Sequence, residues 1–160
     1  MSFDDWFIEK MEIEGLEESM RPGKLSKGGF LGEHEKLEDV LKADDETVQR
    51  LGLTHKKIAA RLQYFIEAVA CPTRSGVLVD GKYLVGGEEY WGGQGCPWQD
   101  GGEFMPNSYM DLYVVNQQTG ERLEYPGGIV HLISIHRFYE GKESPYRVDP
   151  EKAARVLDIK

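Results

Sequence analysis

Cys96, His131 and His136 have the side-chain types and the spacing to hold a metal ion, with Cys71 or Asp100 as a fourth donor. Zinc takes about four sulfur, nitrogen or carboxylate ligands in a tetrahedron, and the H-x4-H pair at 131 and 136 falls within the histidine spacing of finger-type sites. The cysteines do not complete that pattern, because Cys71 and Cys96 stand 25 positions apart where a knuckle places them about two to four apart. On an ideal helix residues i and i+5 are also turned by roughly 140° from each other. Both histidines are therefore expected to reach one metal only if a helix ends between them. A second chemistry uses Cys96 as a nucleophile with His131 or His136 as its base. Pro97 weighs against it, since it removes a backbone amide beside the thiol. Without a metal, His131 packs half-buried in the core and His136 is an exposed cation near a helix carboxyl end.

Cys96 lies in the stretch from 90 to 106, YWGGQGCPWQDGGEFMP, which follows neither helical nor strand periodicity. Long loops without secondary structure are uncommon in compact domains, and the aromatic content here argues against disorder. Trp91, Gln94, Cys96, Trp98 and Phe104 are the expected binding surface, because Trp and aromatic side chains combine large apolar area with few rotamers. The glycines at 92, 93 and 95 do not form a phosphate loop. No Gly-Lys-Ser or Gly-Lys-Thr follows them, and G-x-G-x-x-G cannot be laid over them. Glu88, Glu89, Asp100, Glu103 and Asp111 surround the loop as solvated carboxylates, with acid-base pairing as the alternative.

The elements that must position this loop are helical before it and extended around it. Ser2 with Asp5 has near capping-box spacing, and Phe3, Phe7 and Met11 with Trp6 give a first helix over about 3–13. The segment 15–29, with Pro22 and four glycines, reads as a connection that can move. Leu37, Val40 and Leu41 mark a second helix from His34. Asp44 or Asp45 is expected to cap a separate turn through Val48 and Leu51 that ends at Gly52. Thr54 caps the clearest helix, with Ile58, Leu62, Phe65, Ile66 and Val69 as one apolar stripe that Cys71-Pro72 terminates. Residues 51–62, LGLTHKKIAARL, resemble the first helix of a helix-turn-helix motif. The apolar period then continues through QYFIEAVA, however, leaving no turn and no recognition helix.

After residue 75 the period shortens. Strands at 77–79 and 82–85 flank Asp80-Gly81, the pair that suits a type I′ turn, and Gly86-Gly87 marks a bulge or bend before the strand continues to Trp91. Strands at 109–115 and 121–125 form a second hairpin. Residues 129–137, IVHLISIHR, could alternate as a strand, but a buried helix is expected because Ile129, Val130, Leu132 and Ile133 crowd together after Pro126-Gly127-Gly128. Residues 139–146 read as a polar turn. Asp149-Pro150 opens a last helix over 150–157.

One α+β domain follows, with amino-terminal helices packed on a four-stranded antiparallel sheet and one or two carboxy-terminal helices. Its parts are 1–70 mainly helical, 75–126 antiparallel β and 127–160 helical. The chain has 19 basic and 28 acidic residues, a net charge of −9 spread over both halves. Such a field opposes phosphate backbones and anionic membranes. No apolar run approaches the roughly 18 residues of a bilayer span, and the amino terminus carries acids where a signal peptide carries Lys or Arg. The expected location is the cytoplasm, with both cysteines reduced. The sequence therefore points to a small binding or interaction module that uses the 90–106 loop toward a protein or small-molecule partner, with no nucleic acid or membrane partner. The alternative is a zinc-binding or thiol-dependent enzyme using Cys96 with His131 and His136.

Overall fold

The computed structural model describes residues 3–160, with side chains from residue 10 onward. It is an α+β fold in the order α1 (Phe3–Ser19), α2 (Leu37–Arg50), α3 (His55–Ala68), β1 (Val77–Val79), β2 (Tyr83–Glu89), β3 (Met110–Asn116), β4 (Arg122–Pro126), α4 (Ile129–His136) and α5 (Pro150–Val156). The strands form one antiparallel meander, β1-β2-β3-β4. No helix among the described residues is long and apolar enough to cross a membrane.

The sheet buries one face. Along β3, Met110, Leu112, Val114 and Asn116 point inward and alternate with half-exposed residues, as period-2 geometry requires. Tyr83, Val85, Leu123 and Tyr125 extend the same face. Helix α3 is tied to it by the Tyr125 hydroxyl, which donates to the Leu62 carbonyl at 2.9 Å, and by an edge-on contact of Phe65 with Tyr83 at 5.0 Å. The Asp80-Gly81 turn takes φ of 55° and 65°, the left-handed pair that a type I′ hairpin needs. Thr54 caps α3 by accepting from the Lys57 amide at 3.1 Å, and Asp149 caps α5 by accepting from Lys152 at 3.3 Å.

Four local expectations are corrected. Helix α1 continues through Gly15 to Ser19 and is not interrupted at 13; Ser2 and the side chains of Phe3, Trp6 and Phe7 lie outside the described residues, and Met11 is exposed. The connection after it is tied down rather than loose: Met20, Phe30 and Leu31 are buried, and Phe30 N–H donates to the Met20 carbonyl at 2.9 Å. Second, 37–50 is one helix without a break at Asp44. Asp44 is buried within it because the Arg147 guanidinium grips its carboxylate by two bonds of 2.9 and 2.8 Å. Third, α2 starts at Leu37 and not at His34; its amino end has no side-chain cap of its own, and Glu17 of α1 accepts from the Leu37 amide at 2.7 Å. That long-range cap answers an orphan helix donor that local residues leave open.

Fourth, Gly86-Gly87 is not a bulge. Gly86 pairs with Tyr113 and Gly87 with Leu112 in unbroken register. The glycines are there for close approach: a Cβ on Gly86 would stand 2.4 Å from the Thr73 carbonyl, and that carbonyl accepts from the Gly87 amide at 2.9 Å. The expected helix over IVHLISIHR forms as α4, with Ile129, Leu132 and Ile133 buried.

Candidate metal centre

The loop between β2 and β3 is cross-tied before it delivers any side chain. The Gln94 amide donates to Ser108 Oγ at 2.9 Å, and the Gln94 carbonyl accepts from Met105 N–H at 2.8 Å. Between those ties, Cys96, Pro97, Trp98 and Gln99 make a turn closed by Gln99 N–H donating to the Cys96 carbonyl at 2.9 Å. Proline fixes φ near the value that the second turn position needs. The turn reverses the chain so that Asp100 comes back beside Cys96.

Helix α4 supplies the other half. It ends in a left-handed residue, Arg137 at φ 57°, whose N–H donates to the Ile133 carbonyl at 3.0 Å. This is the five-to-one bond of an αL cap. His136 is the final helical residue and His131 lies more than a turn before it. The helix does not end between them, contrary to the geometric requirement read from the sequence. They meet because Asp100 lies between their tips: His131 Nε2 is 3.1 Å from Asp100 Oδ1, and His136 Nε2 is 2.7 Å from Oδ2. Cys96 Sγ is 3.5 Å from the same His136 nitrogen. The four donor atoms all lie within 4.8 Å of one another.

No family model, curated protein or solved structure matches this chain. The site therefore rests on its own geometry.

Zinc bonds of about 2.0–2.3 Å at tetrahedral angles give ligand-to-ligand separations of about 3.3–3.6 Å. The sulfur-to-imidazole distance of 3.5 Å already has that value. The carboxylate contacts are shorter because, as the side chains stand, both Nε2 atoms engage Asp100 in hydrogen bonds or ion pairs. The donor set, one thiol, two imidazoles and one carboxylate, suits zinc and not the oxygen-only shells of magnesium or calcium.

Electrostatics separates the two chemistries open to Cys96. Burial, reinforced by the nearby Asp100 carboxylate, pushes the Cys96 thiol up to about 11. Burial likewise lowers His136, and this outweighs the pull of Asp100. A neutral thiol beside a neutral imidazole is a weak nucleophile near pH 7. Asp100 is held well below the usual carboxylate range: burial alone would raise it, but hydrogen bonds from Cys96, His131 and His136 prevail. A cation at the centre would reverse the logic for the thiol, since a coordinated thiol is deprotonated outright.

The remaining expected site residues divide. Trp98 is half-buried and leaves the open surface, because its indole stacks on the His136 ring at 4.0 Å and 5° and meets Phe138 edge-on at 5.5 Å. It holds the histidine in place. Trp91 is fully exposed, at 104% of its reference area, and Phe104 in the same loop is exposed as well. Gln94 is half-buried and its side-chain amide donates to the Leu25 carbonyl at 3.3 Å. Cys71 is an exposed free thiol and does not join the cluster, so Asp100 takes the fourth position. His136 is more enclosed than an isolated helix-end cation would be, with 13% of its side chain exposed.

Sequence reasoning missed one residue of functional character altogether. Glu140, read as part of a polar turn, is buried. Its only local signal is the apolar pair Phe138-Tyr139 before it, which carries both neighbours into the core.

Proposed function

We propose that Cys96, Asp100, His131 and His136 hold a zinc ion that fastens the 90–106 loop to α4, and that the protein is a zinc-stapled recognition module. The convergence of four ligating atoms within 4.8 Å carries this reading. A set of four protein ligands fills a tetrahedron and leaves no open position for substrate, which is the pattern of a structural and not a catalytic site. Bound zinc would supply charge neutralisation and a covalent-strength tie between a loop and a helix. Trp98 would keep the His136 ring oriented, and Asp100 and Cys96 would enter as anions. The raised thiol counts against a thiol-dependent enzyme. Two unpaired cysteines fit a reducing compartment such as the cytoplasm.

The test is direct. Protein expressed with zinc in the medium should carry about one equivalent by elemental analysis, and metal-free protein should take up cobalt(II) with thiolate charge-transfer absorption. Cys96→Ala and His131→Ala should each weaken metal affinity by more than the roughly 10–100-fold seen for outer-shell partners. Less than a tenth of an equivalent of any transition metal, with no cobalt spectrum, would end the proposal.

A second reading concerns what the fastened loop does. Trp91 stands free at the mouth of a cavity formed by the beginning of the loop. An exposed tryptophan at the rim of a concave site is a recognition feature, so the loop is proposed as the contact surface for a partner or ligand.

A further inference from the structure

A cavity of about 420 Å³ opens between the first residues of the loop, the amino end of α4 and the segment after it. Its walls include Phe30, Tyr90, Trp91, Met105, Leu132 and Tyr146. Two carboxylic acids, Glu140 and Asp111, also line it, whereas no Lys, Arg or His among the described residues does.

Glu140 is the unusual member. It is 3% exposed and sits at φ 67°, a left-handed conformation that a non-glycine residue adopts at a cost of about 1–2 kcal/mol. The surrounding backbone holds it there. Arg147 Nη1 donates to its carbonyl at 2.7 Å, and the Gly141 amide donates to the Phe30 carbonyl at 2.7 Å. Of its carboxyl oxygens, Oε1 is 2.8 Å from the Ser144 hydroxyl. Oε2 has no hydrogen-bond partner among the described residues. No enclosed side-chain oxygen of the described residues is left without a partner, so Oε2 is not fully enclosed, and the open space that Glu140 lines is this cavity. The side chain of Arg147 is already committed to the Asp44 carboxylate and touches only the backbone of Glu140.

A buried carboxyl group facing a cavity calls for a cation or a proton. A second carboxyl in the lining repels anions, and aromatic faces attract cations through their ring quadrupoles. We propose that this cavity binds an organic ammonium ion, its charged head on Glu140 Oε2 and its apolar part against the aromatic wall. The proposal gives a ligand class to the recognition reading of the loop and rests on it. It is separate from the metal centre, since no zinc ligand lines the cavity.

Isothermal titration at pH 8 with benzylammonium chloride, benzyl alcohol and sodium benzoate tests it. Benzylammonium should bind with one equivalent, and the alcohol and the benzoate at least tenfold more weakly. Glu140→Gln should weaken benzylammonium at least tenfold while circular dichroism stays native. Trp91→Ala removes a wholly exposed side chain, so it keeps the fold and should also weaken binding should Glu140→Gln fail to fold. Equal affinity for the alcohol, or unchanged affinity in Glu140→Gln, would overturn the ammonium assignment and leave a recognition pocket of another class. Failure of all three probes to bind would overturn both.

Discussion

Replacing Glu140 by glutamine should stabilise the protein progressively as pH rises, although it deletes a buried hydrogen-bonding acid. Burial pushes this carboxyl up to about 8 from an ordinary 4.5, with the Ser144 hydroxyl opposing the shift. The folded state therefore holds a proton that the unfolded chain has already released. Stability from this group is complete below about pH 4.5 and is lost as pH rises toward 8. Each pH unit inside that window is worth about 1.4 kcal/mol, so wild type should lose roughly 2.5 kcal/mol between pH 5 and pH 7 from Glu140 alone. The hydroxyl of Ser144 opposes the shift only in part. It stands 3.0 Å from the Gly29 carbonyl as well as 2.8 Å from Glu140, and one hydroxyl proton cannot serve both. A protonated Glu140 donating to Ser144 satisfies every partner, and a glutamine amide can do the same.

The other groups around this carboxyl, Asp111 in the cavity lining and the Arg147–Asp44 pair, are common to both proteins and cancel in the difference. Urea unfolding followed by circular dichroism at pH 5, 6 and 7, with chelator present to keep the metal centre out of the comparison, gives the two stability curves. The difference should grow in favour of Glu140→Gln by roughly 2–3 kcal/mol over that range. A difference that stays constant within about 0.5 kcal/mol would refute the argument that this acid is folded in its neutral form.

Two other predictions concern residues whose burial decides their behaviour. Asp44→Ala leaves the Arg147 guanidinium, 14% exposed, without its bidentate partner, and should cost about 3–5 kcal/mol in chemical denaturation; a loss under about 1 kcal/mol would mean the pair behaves as a surface contact. In native, metal-free protein at pH 7, iodoacetamide should label exposed Cys71 readily and Cys96 far more slowly, because burial pushes the Cys96 thiol up to about 11. Mass spectrometry reads the two sites separately, and equal labelling rates would contradict the enclosed thiol.

The sheet was legible because its signals are local. Asp80-Gly81 can hardly be anything but a tight hairpin, and the alternation through Met110 to Asn116 announces one buried face. Helix α3 was legible for the same reason, with a cap, a stripe and a stop contained in adjacent residues. The breaks expected at residue 13 and at Asp44 did not occur, since what sustains those helices is distant: Glu17 on the Leu37 amide, and Arg147 on Asp44 from 103 positions away.

The same division holds for the chemistry. Residue type alone nominated Cys96, His131 and His136, because few side chains can bind a soft metal. Helical phase argued against the two histidines sharing an ion, and the conflict is resolved by something no periodicity contains: a turn at Pro97 that carries Asp100 back between their tips. Cys71 stood ahead of Asp100 in one dimension, and only the path of the loop brings Asp100 in and leaves Cys71 out. Glu140 was invisible for a related reason. Whether a carboxyl is solvated or buried depends on what lies across the space in front of it, and a linear sequence specifies neighbours along the chain while burial and electrostatics depend on neighbours through space.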